Sequence, residues 1–189
     1  MYVILLLIGF VANGASAFTT AFARRWGERN GRRVSVVLRN ILGIPVWSAG
    51  FVLAVQRPSP PLFGGGGLCA AVAGWLLVLG GAALVIGGLV ALGRRAWAPS
   101  VQDTLVTHGL YAHVRHPVHS GVLLEFAGLA LLRPTLPVVV ACVLGCGWAL
   151  VQTGLEERDL LRRIPAYREY MGRVPRWGRR CSCRRRGHR

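Results

Sequence analysis

Lysine is missing from this chain of 189 residues, and carboxylates are scarce: seven Asp and Glu stand against 23 basic side chains, all arginine, giving a net charge of +16. Charged residues make up only 16% of the chain while 53% are hydrophobic, and the mean hydropathy is +0.45. That balance excludes an ordinary water-soluble surface and points to a membrane protein. A basic excess alone also fits nucleic-acid binding. The distribution excludes it, because the arginines fall in short runs between apolar stretches of membrane-crossing length and in a C-terminal tail. Other absences are equally informative. No Gly-Lys-Ser/Thr follows the run Gly64 to Gly67, so it is not a phosphate loop; beside Pro58, Pro60 and Pro61 it reads as an external turn. The five cysteines supply no disulfide framework, since Cys69, Cys142 and Cys146 lie in apolar stretches. Cys181 and Cys183 sit with His188 in RRCSCRRRGHR, which reads as a disordered basic tail near anionic lipid in preference to a metal site.

What is present is a series of apolar segments near 2–22, 35–56, 68–92, 117–132 and 135–154, each close to the roughly 20 residues that cross the hydrocarbon layer. The pattern predicts an all-α polytopic membrane protein of about five transmembrane helices plus a C-terminal interfacial helix. The fourth segment is short, and Pro134 and Pro137 after it predict a tight hairpin with the fifth. Ala15-Ser16-Ala17 resembles a signal-peptidase site, but no basic n-region precedes the first apolar stretch and its arginines come after it, so a retained helix is expected. Pro45 is expected to kink the second span, and Arg39 with Asn40 to snorkel or cap a polar pocket. In the third span, Ala83, Gly87 and Ala91 form a small-residue stripe suited to close helix packing.

Arginine alternates between connections. The first carries Arg24, Arg25, Arg29, Arg32 and Arg33, the third Arg94, Arg95 and Arg115, and the tail is richer still, whereas the second and fourth hold only Arg57 and Arg133. The positive-inside rule then puts the N-terminus outside and the C-terminus in the cytosol. Three regions follow: 1–104 with the first three helices, 105–177 with the last two, and a tail at 178–189.

Two segments on that cytosolic side concentrate the titratable groups. In VTHGLYAHVRHPVHSG, Pro117 suits the first turn of the fourth helix, whose positive end, with Arg115 and His116 just ahead, attracts a carboxylate. Anchoring at the headgroups is the alternative use of the same side chains. In LEERDLLRRIPAYREYMGRVPRW, Glu156 and Glu157 follow the fifth span, and Leu155, Leu160, Leu161 and Ile164 suit an interfacial helix with Tyr167, Tyr170 and Trp177 at headgroup level. A zwitterionic ligand with an aromatic base finds a partner for each of its parts.

GLYAHVRHPVHSG, LEERDLL and IPAYREYMGRVPRW, in that order, resemble the C-terminal half of the isoprenylcysteine carboxyl methyltransferase and phospholipid methyltransferase superfamily over about residues 105–177. The resemblance implies an integral membrane methyltransferase using S-adenosylmethionine, with the cofactor between the last spans and the C-terminal segment, no metal, and the active site in the cytosol. His108, Tyr111, Arg115, His116, Pro117, His119, Glu156 and Glu157 are the implied cofactor-binding residues. His119 stands where the pattern has tyrosine, and Pro165-Ala166 where many members have Gly-Glu or Pro-Gly.

In-line methyl transfer needs placement more than covalent catalysis, and placement supplies roughly 7–11 kcal/mol of the barrier. The expected acceptor is lipophilic and enters from the membrane lipid. If it is a carboxylate, as in an isoprenylcysteine, it is already ionised and an arginine suffices to orient it, with Arg168 as candidate. If it is a phospholipid amine, a base must take its proton, and Glu125 within the fourth span is the candidate. Glu125 could equally be a buried partner of Arg39. A non-catalytic membrane protein on the same scaffold is the remaining alternative.

Overall fold

A computed structural model describes residues 1–62, 67–97 and 100–178. Most of Gly64 to Gly67 and the tail with Cys181, Cys183 and His188 lie outside the described residues. The fold is all helical: α1 (Tyr2–Ala15), α2 (Thr19–Val36), a π-helical segment (Val37–Gly43), α3 (Ile44–Gln56), α4 (Leu68–Leu92), the short α5 (Arg94–Trp97), a 3-10 turn (Gly109–Ala112), α6 (Pro117–Leu132), α7 (Leu136–Arg163) and α8 (Tyr167–Arg173).

The third and fourth predicted spans coincide with α4 and α6. The others differ. α1 stops at Ala15, seven residues short of the expected 2–22, because the Ser16 hydroxyl bonds back to the Asn13 carbonyl at 2.6 Å and the chain turns through Phe18. The helical stretch Thr19–Gln56 is broken at Gly27, whose φ of 77° is accessible to glycine at little cost, and the two halves of α2 press together where a Cβ on Gly31 would lie 2.6 Å from the Ala23 nitrogen. Pro45, early in α3, supplies no N–H to the preceding turn, and π-helical bonding in Val37–Gly43 spreads the distortion. α7 runs unbroken through Glu156 and Glu157 to Arg163, so the stretch expected as a separate interfacial helix is the last turns of α7.

Three helical segments, Thr19–Gln56, Leu68–Leu92 and Leu136–Arg163, are long and apolar enough to cross a membrane, while α1 and α6 are apolar but shorter. The outside is the greasier side of the molecule. Ile4, Ile8, Val11, Leu76, Leu79, Ile86, Val143 and Val151 are exposed, as a lipid-bathed surface requires and water forbids. The core joins α1, α3, α6 and α7 through Leu6, Phe10, Phe51, Phe126, Val138 and Ala141. Phe51 stacks on Phe126 with centroids 4.8 Å apart, and Phe10 on Trp148 at 5.0 Å.

α4 lies against α6 by glycine contacts. A Cβ on Gly81 would sit 2.5 Å from the Gly121 carbonyl oxygen, and one on Gly128 would sit 2.6 Å from the Gly74 carbonyl. The buried positions of α4 are Gly74, Gly81 and Gly88, seven apart, whereas Ala83 of the expected stripe is exposed and Gly87 faces Leu110. At one end of the bundle, the Leu62 N–H donates to Pro134 O at 2.8 Å, tying the second connection to the fourth. At the other end, Ser100 and Gln102 donate to Glu28, and Thr20 N–H donates to Asp159, so the arginine-rich connections meet the end of α7.

Candidate active site

Where α7 outruns its apolar part, its carboxylates meet the start of α6. Pro117 is fully buried at the first turn of α6, and His116 just ahead of it is 6% exposed. Nε2 of His116 lies 3.1 Å from Oε1 of Glu157. An ionised carboxylate only accepts, so this ring nitrogen carries the hydrogen and donates. Nη1 of Arg115 lies 3.1 Å from the same oxygen, and the Arg176 guanidinium pairs with Glu157 from the other side. Glu157 thus holds three cationic or hydrogen-bonding groups at once.

Arg176 belongs to an extended segment after α8 that closes over the site. The Arg115 N–H donates to Pro175 O at 3.0 Å, and the Trp177 ring centre is 6.1 Å from that of His116. α8 is seated by two tyrosines expected at headgroup level. Tyr167 and Tyr170 are instead 2% and 3% exposed and pack on Val174, because the pitch of α8 turns both inward. The Tyr170 hydroxyl donates to the Tyr111 carbonyl at 2.6 Å, and burial pushes its pKa up to about 12. Burial also raises Tyr111, helped by the Glu156 charge, and Tyr167, helped by Glu157. All three phenols therefore remain hydrogen-bond donors at neutral pH.

Between these parts lies a cavity of about 180 Å3. Of the expected cofactor residues, Tyr111, Arg115, His116, His119 and Glu156 line it; Pro117 is buried and does not line it, Glu157 lies behind Arg115 and His116, and His108 is exposed outside it. Arg168 is exposed on α8 and does not reach the cavity. Glu125 lies against Gly81 of α4, also outside the cavity, and among the described residues it forms no ion pair with Arg39, which lines the cavity itself. Sequence reasoning missed Ser16 from the turn after α1, Thr19 at the start of α2, Asp103 from the third connection, and Asp159 and Arg163 from α7. The scarcity of acidic residues was the one available signal: Asp103 and Asp159 are two of seven.

Arg115 and the hydroxyl of Tyr167 are buried beside one another in this cavity, with Arg115 against the phenol oxygen and its Nη1 3.1 Å from Glu157. Glu156 and two imidazoles line the same cavity: Nδ1 of His116 lies 3.9 Å from Oε2 of Glu156, and His119 is beside it. Buried donors at Arg115 and Tyr167 and acceptors at Glu156 and the imidazoles, gathered in one cavity, fit the carboxylate and ammonium of an amino-acid moiety, such as that of S-adenosylmethionine.

An apolar outside, glycine-packed helices and an enclosed polar cavity at one end define an integral membrane protein built around a buried site. A family model described as phospholipid methyltransferase matches residues 69–168, over half of the chain. The protein belongs to this family and is a membrane methyltransferase of the isoprenylcysteine carboxyl and phospholipid methyltransferase superfamily. The matched region runs from the start of α4 into α8 and includes every cavity-lining residue of α6 and α7. No curated protein and no solved structure matches the chain.

Proposed function

We propose that the protein transfers a methyl group from S-adenosylmethionine to the carboxylate of an isoprenylcysteine-like, lipophilic acceptor. The gathering of the Arg115 and Tyr167 donors with Glu156, His116 and His119 in one cavity carries the cofactor part of this reading. Arg115 and Tyr167 bind the cofactor's carboxylate, and Glu156 with His116 and His119 binds its ammonium. Bound there, S-adenosylmethionine supplies the electrophilic methyl of its sulfonium. Glu157 fixes Arg115 and His116 in place, and Arg176 of the segment Val174–Trp177 binds Glu157 in turn. Labelled S-adenosylmethionine should bind the detergent-purified protein, and Arg115→Ala should weaken that binding by about 1–3 kcal/mol, roughly 5- to 150-fold, the scale for a lost charge-assisted hydrogen bond. Unchanged affinity would remove Arg115 from the cofactor site.

Two observations support the acceptor. Arg39, Arg95 and Arg163 line the same cavity and favour an anionic group. An apolar groove of about 420 Å3, lined by Leu84, Leu123, Leu124, Leu150 and Trp177, suits a hydrocarbon chain beside it. The family match favours a second reading, a phospholipid amine, with Asp103 rather than Glu125 in reach as base. The pH profile separates them. A carboxylate with a reference pKa near 4 is ionised throughout, so the rate should be nearly flat from about pH 6 to 9. A rate climbing about tenfold per pH unit would mark an amine that must first lose a proton. Tracing label from the cofactor into a lipid extract identifies the product in either case.

The arginine-rich end of the bundle faces the cytosol in this reading, with five crossings, the N-terminus outside and the site open to soluble cofactor. A reporter fused after Arg189 that is active only outside the membrane should be silent. Strong activity of that fusion would reverse the orientation.

A further inference from the structure

The imidazoles and the carboxylate that share the cavity with Arg115 have a second use. We propose that His116, His119 and Glu156 form a binding site for a divalent transition metal of the zinc class, oriented by Glu157. The inference rests on the same cavity as the cofactor reading but on a different observation, the approach of acceptor to acceptor.

In the neutral form of His116 whose Nε2 donates to Glu157, Nδ1 carries a lone pair, and it lies 3.9 Å from Oε2 of Glu156. Two acceptors held this close repel unless a cation or a shared proton lies between them. His119 adds a third, and one ligating atom from each of the three lies within 4.8 Å of the others. His116 and His119 are three residues apart at the start of α6, which turns them to one side of the helix, and their rings meet edge to face at 5.8 Å. Zinc bound at about 2.0–2.2 Å from nitrogen and oxygen needs tetrahedral ligands about 3.3–3.5 Å apart. The Glu156 side chain can close that gap: it is 30% exposed, and its recorded hydrogen bond is a single one from Gln152 at 3.1 Å.

The surroundings match those of metal-binding histidines elsewhere. A ligating imidazole commonly donates its other N–H to a carboxylate, which fixes the tautomer, and Glu157 does this for His116. Two imidazoles and one carboxylate favour zinc-like ions over calcium or magnesium, and the cavity leaves a fourth position open. The third ligand exists only because residue 119 is histidine, where the related sequence pattern carries tyrosine. Arg39 lines the same cavity, and its charge limits the affinity.

The test uses the full chain with Cys181→Ser and Cys183→Ser, so that tail thiols cannot contribute, stripped of metal and titrated with Co2+. One equivalent should bind, with a visible d–d absorption band. His119→Tyr and Glu156→Gln should each weaken binding by more than about 100-fold, and Glu157→Gln by about 10- to 100-fold as an outer partner. Absence of a saturable band, or a band unchanged in both His119→Tyr and Glu156→Gln, would overturn the site. Labelled S-adenosylmethionine binding to the metal-free protein is read in parallel. Cofactor binding without a cobalt band defeats the metal site alone, and a cobalt band without cofactor binding defeats the cofactor reading alone. Where both bind, the cofactor should raise the apparent Kd for Co2+ in proportion to its concentration, and simultaneous occupancy would exclude shared ligands.

Discussion

Glu157→Ala should destabilise the protein by about 3–5 kcal/mol, the cost of leaving buried charge without its partner. Arg115 and His116 have side chains only 7% and 5% exposed, and both depend on Glu157 Oε1. Arg176, at 38% exposure, can return to solvent and adds much less. The loss should appear in the midpoint of denaturant-induced unfolding in detergent micelles. Glu157→Gln keeps an acceptor and the shape but not the charge, so it should lie between wild type and Glu157→Ala. A Glu157→Ala midpoint equal to wild type would mean that Arg115 and His116 find other partners. The segment Val174–Trp177 should also loosen in this variant, because the Arg176 contact with Glu157 is one of its anchors to α7.

The split between Glu156 and Glu157 was not legible in the sequence, where they are one pair. On an α-helix, adjacent residues project about 100° apart, so one reaches the cavity and the other the Arg115 side. Other differences have the same origin. Ser16, Ala17 and Thr19 do not forbid a continuing helix by propensity, and the bond from the Ser16 hydroxyl to the Asn13 carbonyl at the end of α1 could not be read from the sequence. Tyr167 and Tyr170 read as interfacial because aromatic residues after a span usually are, yet the short α8 folds under the end of α7 and buries both. The polar stretch after residue 154 read as an interfacial helix because charge ends a membrane span; it does not end a helix when Asp159 meets Arg163 one turn on at 3.2 Å.

Legibility was greatest where composition changes abruptly. α4 is bounded by Gly67 and by Gly93, whose φ of 56° ends the helix, and α6 by Pro117 and Arg133. Tyr111, Arg115, His116 and His119 could be read together because they lie within nine residues of one another in the sequence. Asp103, Asp159 and Ser16 come from three separate segments, and nothing local marks them as neighbours.

The contact between α4 and α6 decides where the site sits, and Gly81→Leu should disrupt it. A Cβ at Gly81 meets the Gly121 carbonyl oxygen at 2.5 Å and Cγ of Glu125 at 2.8 Å; the first of these is backbone and cannot move without its helix. Overpacking a tight contact costs about 1–3 kcal/mol, and backbone against backbone belongs at the upper end or beyond it. Relief requires α4 to move away from α6. Val118 of α6 lies against Gly88 of α4 two turns further on, and Val118 also lines the cavity, so the displacement reaches the site. Gly81→Leu should therefore lower the unfolding midpoint and weaken binding of labelled S-adenosylmethionine together. Gly80→Leu is the control, because a Cβ at Gly80 meets nothing within 4 Å, and it should leave both measurements close to wild type. If Gly81→Leu behaves like Gly80→Leu, the two helices are not in glycine contact and α4 does not position the start of α6.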